Sequence, residues 1–120
     1  WWNMDEFYEV SLLLDFYGQM ITKRQYDILD LYYNSDLSLG EIAQQLSISR
    51  QGVYDNLRRG KAALYGLEEK LGLVLRFRKL KDNASAILKC LDAIDTNALS
   101  QEDVRNIDNA RELVRKILED

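Results

Sequence analysis

Residues 37–65 read LSLGEIAQQLSISRQGVYDNLRRGKAALY, and their interpretation decides the fold. Ser38 can accept a hydrogen bond from the backbone N–H three residues on, while Glu41 can reach back to the Ser38 N–H. This reciprocal capping box opens a short helix that runs through Leu46. Ser47, Ile48 and Ser49 turn the chain, and Ser49 caps a second helix from Arg50. A helix, a three-residue turn and a helix make a helix-turn-helix, in which the second helix can be presented to a DNA groove. Ile42, Ala43 and Leu46 give the first helix its apolar side, Ile48 plugs the turn, and Val53 and Leu57 form the inward stripe of the second. Ala43 is small where two backbones must approach.

The second helix outlasts the motif. Val53, Leu57, Gly60, Leu64, Leu67, Leu71 and Val74 step alternately by four and three residues, which predicts a heptad seam. A helix over residues 50–75 would be about 39 Å long at the usual rise. Gly60 is the weak position of the seam. Gly66 and Gly72 each lower helix propensity by about 1 kcal/mol, so a break is expected, if anywhere, near Gly72. The seam serves either a homodimer through Leu57, Leu64, Leu67, Leu71 and Val74, or the chain's own C-terminal helices packing along it.

Upstream, WWNMDEFYEV does not start with methionine, and Trp1 to Asn3 read as a remnant or extension outside the fold. A helix from about Asp5 carries Leu13, Phe16, Tyr17 and Met20 on one side and ends near Gly18 or Met20. Thr22 and Gln25 form a second capping box, opening a helix whose buried side is Tyr26, Leu29, Tyr32 and Tyr33. Asn34, Ser35 and Asp36 lead into the central motif. Downstream, RFRKLKD reads as a basic joint, followed by a helix with Ile87, Leu88, Leu91 and Ile94, a loop at Thr96 and Asn97, and a last helix from about Gln101 capped by Ser100. That helix carries Val104, Ile107, Val114, Ile117 and Leu118. The prediction is an all-α fold: one helical domain over residues 1–120, with a helix-turn-helix core at about 22–75 and a C-terminal extension at about 76–120.

Composition narrows the chemistry. The chain has 120 residues, no proline and no histidine, so no Ser-His or Cys-His pair and no Cys/His metal set can be built. No glycine-rich phosphate loop is present. The reading is therefore of a non-enzyme without metal or cofactor. Cys90 is the single cysteine, expected as a buried free thiol in a reducing, cytoplasmic setting. Without a run of about 18 apolar residues, no membrane insertion is expected.

The net charge of −4 conceals a strong asymmetry. Residues 1–49 hold two basic and eight acidic groups, residues 50–81 nine and three, and residues 82–120 five and nine. The positive segment suits phosphates, an acidic protein surface, or the chain's own acidic ends. At about 100° per residue from Val53, Gln51, Asp55, Arg58 and Arg59 point away from the core, flanked by Arg50 and Tyr54. Arg and Gln read guanine and adenine edges, and Arg59 or Lys61 can hold phosphates. Asp55 suits cytosine or a basic group on a protein. Arg76, Arg78, Lys79 and Lys81 form a second cluster that can grip a phosphate backbone or an acidic helix.

Residues 22–64, TKRQYDILDLYYNSDLSLGEIAQQLSISRQGVYDNLRRGKAAL, resemble the fourth region of bacterial sigma factors. More specifically, LLLDFYGQMITKRQ, YYNSDLSLGEIAQQLSISRQGVYDNLRR and EEKLGL together resemble the YlxM family of small bacterial proteins. The resemblance covers residues 12–73. It implies a regulatory protein associated with the signal recognition particle through gene neighbourhood, with that particle's GTPase or its RNA as partner and no catalytic residues. Carried over position by position, the motif gives Ser49, Arg50, Gln51, Tyr54, Asp55 and Arg58 as the presented face. Gly52 stands where Ala is more usual, a departure expected to loosen the helix start. Two other readings are a sequence-specific DNA-binding regulator and a dimeric interaction scaffold.

Overall fold

The computed structural model describes residues 5–119, so Trp1 to Asn3 lie outside the described residues. Among the described residues there are six α-helices and no strands: α1 Glu6–Tyr17, α2 Lys23–Tyr33, α3 Leu39–Leu46, α4 Arg50–Leu71, α5 Leu73–Asp92 and α6 Gln101–Glu119. The expectation of an all-α fold is met. The caps at Thr22, Ser38 and Ser49 are where the sequence placed them, and Asp5 adds one at the start of α1. The Asp5 carboxylate accepts from the Phe7 N–H at 3.0 Å. Thr22 and Gln25 exchange hydrogen bonds of 3.1 Å and 3.1 Å, Ser38 and Glu41 of 3.1 Å and 3.0 Å, and the Ser49 hydroxyl accepts from Gly52 at 2.9 Å. Such a cap stabilises a helix by about 1 kcal/mol.

The chain falls into two compact units, the first ending at Val74 and the second beginning at Leu75. In the first, α1, α2 and α3 pack on α4 around Val10, Leu13, Tyr17, Ile28, Leu29, Ile42, Val53 and Leu64, all fully buried. The stripes differ in part from those expected. On α1 the buried residues are Val10, Leu13, Leu14 and Tyr17, while Met20 is 58% exposed because the chain tightens into a 3₁₀ turn at Gly18–Met20 and leaves the helical register. On α2, Ile28 joins Leu29 and Tyr33 inside. Tyr26 lies instead over Gly18, where a Cβ would meet its ring at 2.6 Å. Gly18 is thus required by a close approach.

Gly60 is a correction of the same kind. Far from being the weak point of the seam, it is where α4 comes closest to α2: a Cβ there would sit 2.7 Å from Leu29 Cδ1 and 3.3 Å from Gln25 Cβ. Val53, Leu57, Gly60 and Leu64 are all buried in this unit, so these seam residues are already covered by the chain itself. Leu67 is half-buried and Leu71 is 50% exposed.

The seam's helix also ends earlier than residue 75. Gly72 adopts φ 63°, its N–H bonds to the Glu68 carbonyl at 2.8 Å, and α5 begins at the next residue. A glycine is the natural residue for this left-handed cap. It cannot cap α5 with a side chain. The first free N–H groups of α5 are satisfied by buried groups from elsewhere: Leu73 donates to the Tyr17 hydroxyl at 3.1 Å and Val74 to Glu68 Oε1 at 3.0 Å. Tyr17 in turn donates to Glu68 Oε1 at 2.5 Å. Burial, then the Glu68 hydrogen bond, pushes the Tyr17 phenol above its usual range.

In the second unit α5 and α6 form an antiparallel hairpin. RFRKLKD is not a joint but part of α5, which is helical through Asp92. Ser100 caps α6 as expected, accepting from Asp103 at 3.1 Å. The Lys81 ammonium closes the other end of α6, donating to the carbonyls of Ile117 at 2.6 Å and Leu118 at 2.8 Å, where the helix dipole favours a cation. Arg111 pairs with Asp92 at 2.9 Å and donates to the Leu91 carbonyl at 3.2 Å. Ala84 and Val114 are the buried residues of this unit among those described. Cys90, expected to be buried, is exposed.

Candidate functional site

The turn between α3 and α4 is held by local hydrogen bonding. Ser47 takes a left-handed conformation at φ 57°, and the Ile48 N–H returns to the Ala43 carbonyl at 3.0 Å. Ile42 and Ala43 are buried behind the turn with Val53 and Leu57. The start of α4 is thereby fixed at both of its ends: by the Ser49 cap outside and by apolar packing beneath.

On the outer side of α4, the structure brings together Ser49, Arg50, Gln51, Tyr54, Arg58 and Arg59 as exposed residues. No ion pair among the described residues engages Arg50, Arg58 or Arg59, so the face is cationic. Asp55, the acid at its centre, is half-buried and accepts from Gln51 Nε2 at 3.1 Å. That bond joins the two side chains and removes one amide donor from the exposed face. Asn56 donates to the Gly52 carbonyl at 2.8 Å. Gly52 leaves only 3.2 Å between a Cβ and the Ser49 hydroxyl, so the glycine gives the cap room.

Arg50 has a seat that sequence reasoning missed. A Cβ on Gly40 would lie 3.1 Å from Arg50 Nη2 and 3.2 Å from Nε, so the guanidinium rests on the first turn of α3. The available signal was a glycine inside a capped helix, where propensity disfavours it by about 1 kcal/mol.

Lys61 stands apart from this face. Its ammonium lies 2.6 Å from Glu6 of α1 and 5.9 Å from the centre of the Tyr33 ring. Burial works against its charge, but hydrogen bonds to Glu6 and Tyr33 outweigh burial and hold the ammonium above the usual lysine range. Tyr65 is likewise turned to α1: burial, then a hydrogen bond with Glu9, raises its phenol strongly. Part of the positive segment therefore neutralises the chain's own acidic N-terminal helix. Of the second cluster, Arg76 and Lys79 are exposed, Arg78 is half-buried, and Lys81 caps α6 while lying 5.1 Å from the centre of the Phe77 ring.

Among the described residues no group of His, Cys, Asp and Glu could hold a metal ion, and no helix is long and apolar enough to cross a membrane. Residues 4–107 match the family described as "Putative helix-turn-helix protein, YlxM / p13 like". The match extends through α5 into α6, beyond the resembling residues 12–73. A UPF0122 protein of Acetivibrio thermocellus is 55% identical, the alignment covering 97% of this chain and 99% of the relative. Others from Desulforamulus reducens and Clostridium kluyveri are 40% and 41% identical over 97% and 86% of this chain and 96% and 95% of their own.

Proposed function

Given that the chain belongs to the YlxM / p13-like family of helix-turn-helix proteins, a family described by its motif and not by an enzymatic activity, we propose that it is a regulatory protein of the signal recognition particle pathway. In this reading its α4 face docks on the particle's GTPase, its RNA or both. The observation that carries the docking face is that Arg50, Arg58 and Arg59 stand exposed and, among the described residues, without ion pairs on a helix whose start is capped by Ser49, while Lys61 of the same segment is engaged internally. The link to the particle rests on the family resemblance.

Recognition by such a face needs carboxylates or phosphates opposite the guanidinium groups, and arginine supplies planar, forked donors for either. The Gln51–Asp55 pair puts an acid beside those arginines, which favours a partner of mixed charge over a bare duplex backbone. A second reading, a sequence-specific DNA-binding regulator, is supported by the helix-turn-helix itself, with Gln51 and Arg50 at the start of the second helix where base edges are read.

Titration of labelled protein with the purified particle GTPase, with and without its RNA, at about 0.15 M salt tests the proposal under physiological screening. Saturable binding near or below about 1 μM, weakened about tenfold by Arg58→Glu with helical content unchanged, is the expected result. No binding to either component overturns the pathway assignment. Binding insensitive to Arg58→Glu removes the α4 face. A DNA-selection experiment that yields a site preferred by about a thousandfold, with steep salt dependence, establishes the second reading instead.

A further inference from the structure

The second unit leaves one side of its hairpin apolar and uncovered. Leu80 and Ile87 of α5 are 53% and 49% exposed, and Leu113 and Ile117 of α6 are 63% and 37% exposed. At about 100° per residue, Leu80 and Ile87 lie about 40° and 60° to one side of Ala84, the residue that α5 buries within this unit. Ile117 and Leu113 lie about 60° and 100° to the same rotational side of Val114, the residue α6 buries. The helices run antiparallel, since Lys81 meets Ile117 and Leu118 while Leu91 and Asp92 meet Arg111. In an antiparallel pair, equal rotational offsets from the shared contact point to the same side of the hairpin. The four side chains therefore form one face.

The two ends of the hairpin carry opposite charge. Arg76 and Lys79 lie near the N-terminal end of α5, and Glu102 and Asp103 begin α6 at the far end. A twofold axis through the middle of the patch turns the face onto itself and lays each copy's basic end toward the other's acidic end. The size is adequate: two helices of about 20 residues are about 30 Å long, and a pair of them is about 20 Å wide. Two such faces bury about 1,200 Å² together, at the lower bound for a specific interface.

We propose that the occupant of this face is a second copy of the chain, the two α5–α6 hairpins closing into an antiparallel four-helix bundle. Each hairpin gains the second apolar layer that Ala84 and Val114 cannot supply alone, and the end charges set the antiparallel register. The partner surface lies in α5 and α6. It leaves the buried seam residues Leu57 and Leu64 undisturbed.

Sedimentation velocity across about 1 to 100 μM protein tests this, because a dimer's population depends on concentration. The full chain is expected to sediment as a dimer, Ile87→Asp with Leu113→Asp as a monomer of unchanged circular dichroism, and Leu71→Asp as a dimer still. Arg76→Glu is expected to raise the dimer Kd about tenfold, and adding Glu102→Arg in the same chain to recover it. A monomeric wild type overturns the proposal and leaves the face to another protein. So does a dimer that survives Ile87→Asp with Leu113→Asp, or one abolished by Leu71→Asp. Failure of the charge exchange to recover affinity overturns the antiparallel arrangement.

Discussion

The two units are both built wholly from α-helices with apolar stripes, yet they bury very different amounts. Residues 5–74 pack α1, α2 and α3 on α4, so each apolar stripe meets at least one other and Val10, Leu13, Ile28, Leu29, Ile42 and Leu64 are fully enclosed. In residues 75–119, two long helices pair with each other alone, and Ala84 and Val114 are the residues buried there among those described. Length and periodicity do not make a core. A third or fourth surface does, because two cylinders touch along one line and leave the flanks of that line in water.

The sharpest way to break this comparison is to remove the same atoms from each unit. Leu64→Ala is expected to cost about 2–5 kcal/mol, whereas Leu88→Ala, at a half-buried site of α5, should cost about 1 kcal/mol. Equal shifts of the urea midpoint would mean that the second unit has a core as tight as the first.

Tyr17→Phe probes the buried polar group at the start of α5. It removes the acceptor of the Leu73 N–H and a donor to Glu68, at an expected cost of about 1–3 kcal/mol in thermal or urea unfolding. The same variant has a pH signature. The folded phenol titrates above its ordinary value of 10.0, so its contribution is complete below pH 10.0 and is lost as pH rises through the folded pKa. Wild type should therefore lose stability above pH 10.0 more steeply than Tyr17→Phe, and parallel curves would remove the buried phenol from the account.

Within α4, Gly60→Ala and Gly66→Ala form a matched pair. The first places a methyl against Leu29 and Gln25 and should destabilise by about 1–2 kcal/mol after the helix-propensity gain. The second meets nothing within 4 Å among the described residues and should stabilise by up to about 1 kcal/mol. Melting temperatures moving in the same direction would show that the α2–α4 approach is not tight at Gly60.

An effect at the small end of this range is expected from Ser38→Ala, about 1 kcal/mol from one cap. Hydrogen bonds from the Ser38 backbone N–H and side chain hold the Glu41 carboxyl below its ordinary value of 4.5. A depressed carboxylate contributes above its unfolded pKa and loses that contribution as pH falls through the lower folded one. The difference between wild type and Ser38→Ala should shrink on acidification below that ordinary value, as followed by thermal melts. A difference that persists at low pH would assign the cap to the serine hydroxyl alone.

Of the candidate face, Ser49, Arg50, Gln51, Tyr54, Arg58 and Arg59 were legible, because rotation about a helix axis and one buried reference, Val53, decide which side is outside. Lys61 was not. Its rotation gave no hint that Glu6, 55 residues away in sequence, would meet it. The continuous helix through RFRKLKD was hidden for a different reason: the run of cations resembles a solvated joint, and the Lys81 contact that engages one of them belongs to α6, 36 and 37 residues on.

The sequence by itself determined the all-helical character of the chain, the caps at Thr22, Ser38, Ser49 and Ser100, the Ser47–Ser49 turn and Gly72 as the place for a break, because those hydrogen bonds close within a few residues. Tertiary structure decided what each residue meets: Gly18 under Tyr26, Gly60 against Leu29, Arg50 on Gly40, and Tyr17 hydrogen-bonded to Glu68, 51 residues away. Local bonding depends on the chain's own geometry over one turn. Packing and ion pairing depend on which surfaces the whole unit brings together, and a one-dimensional pattern carries the period of those surfaces but not their partners.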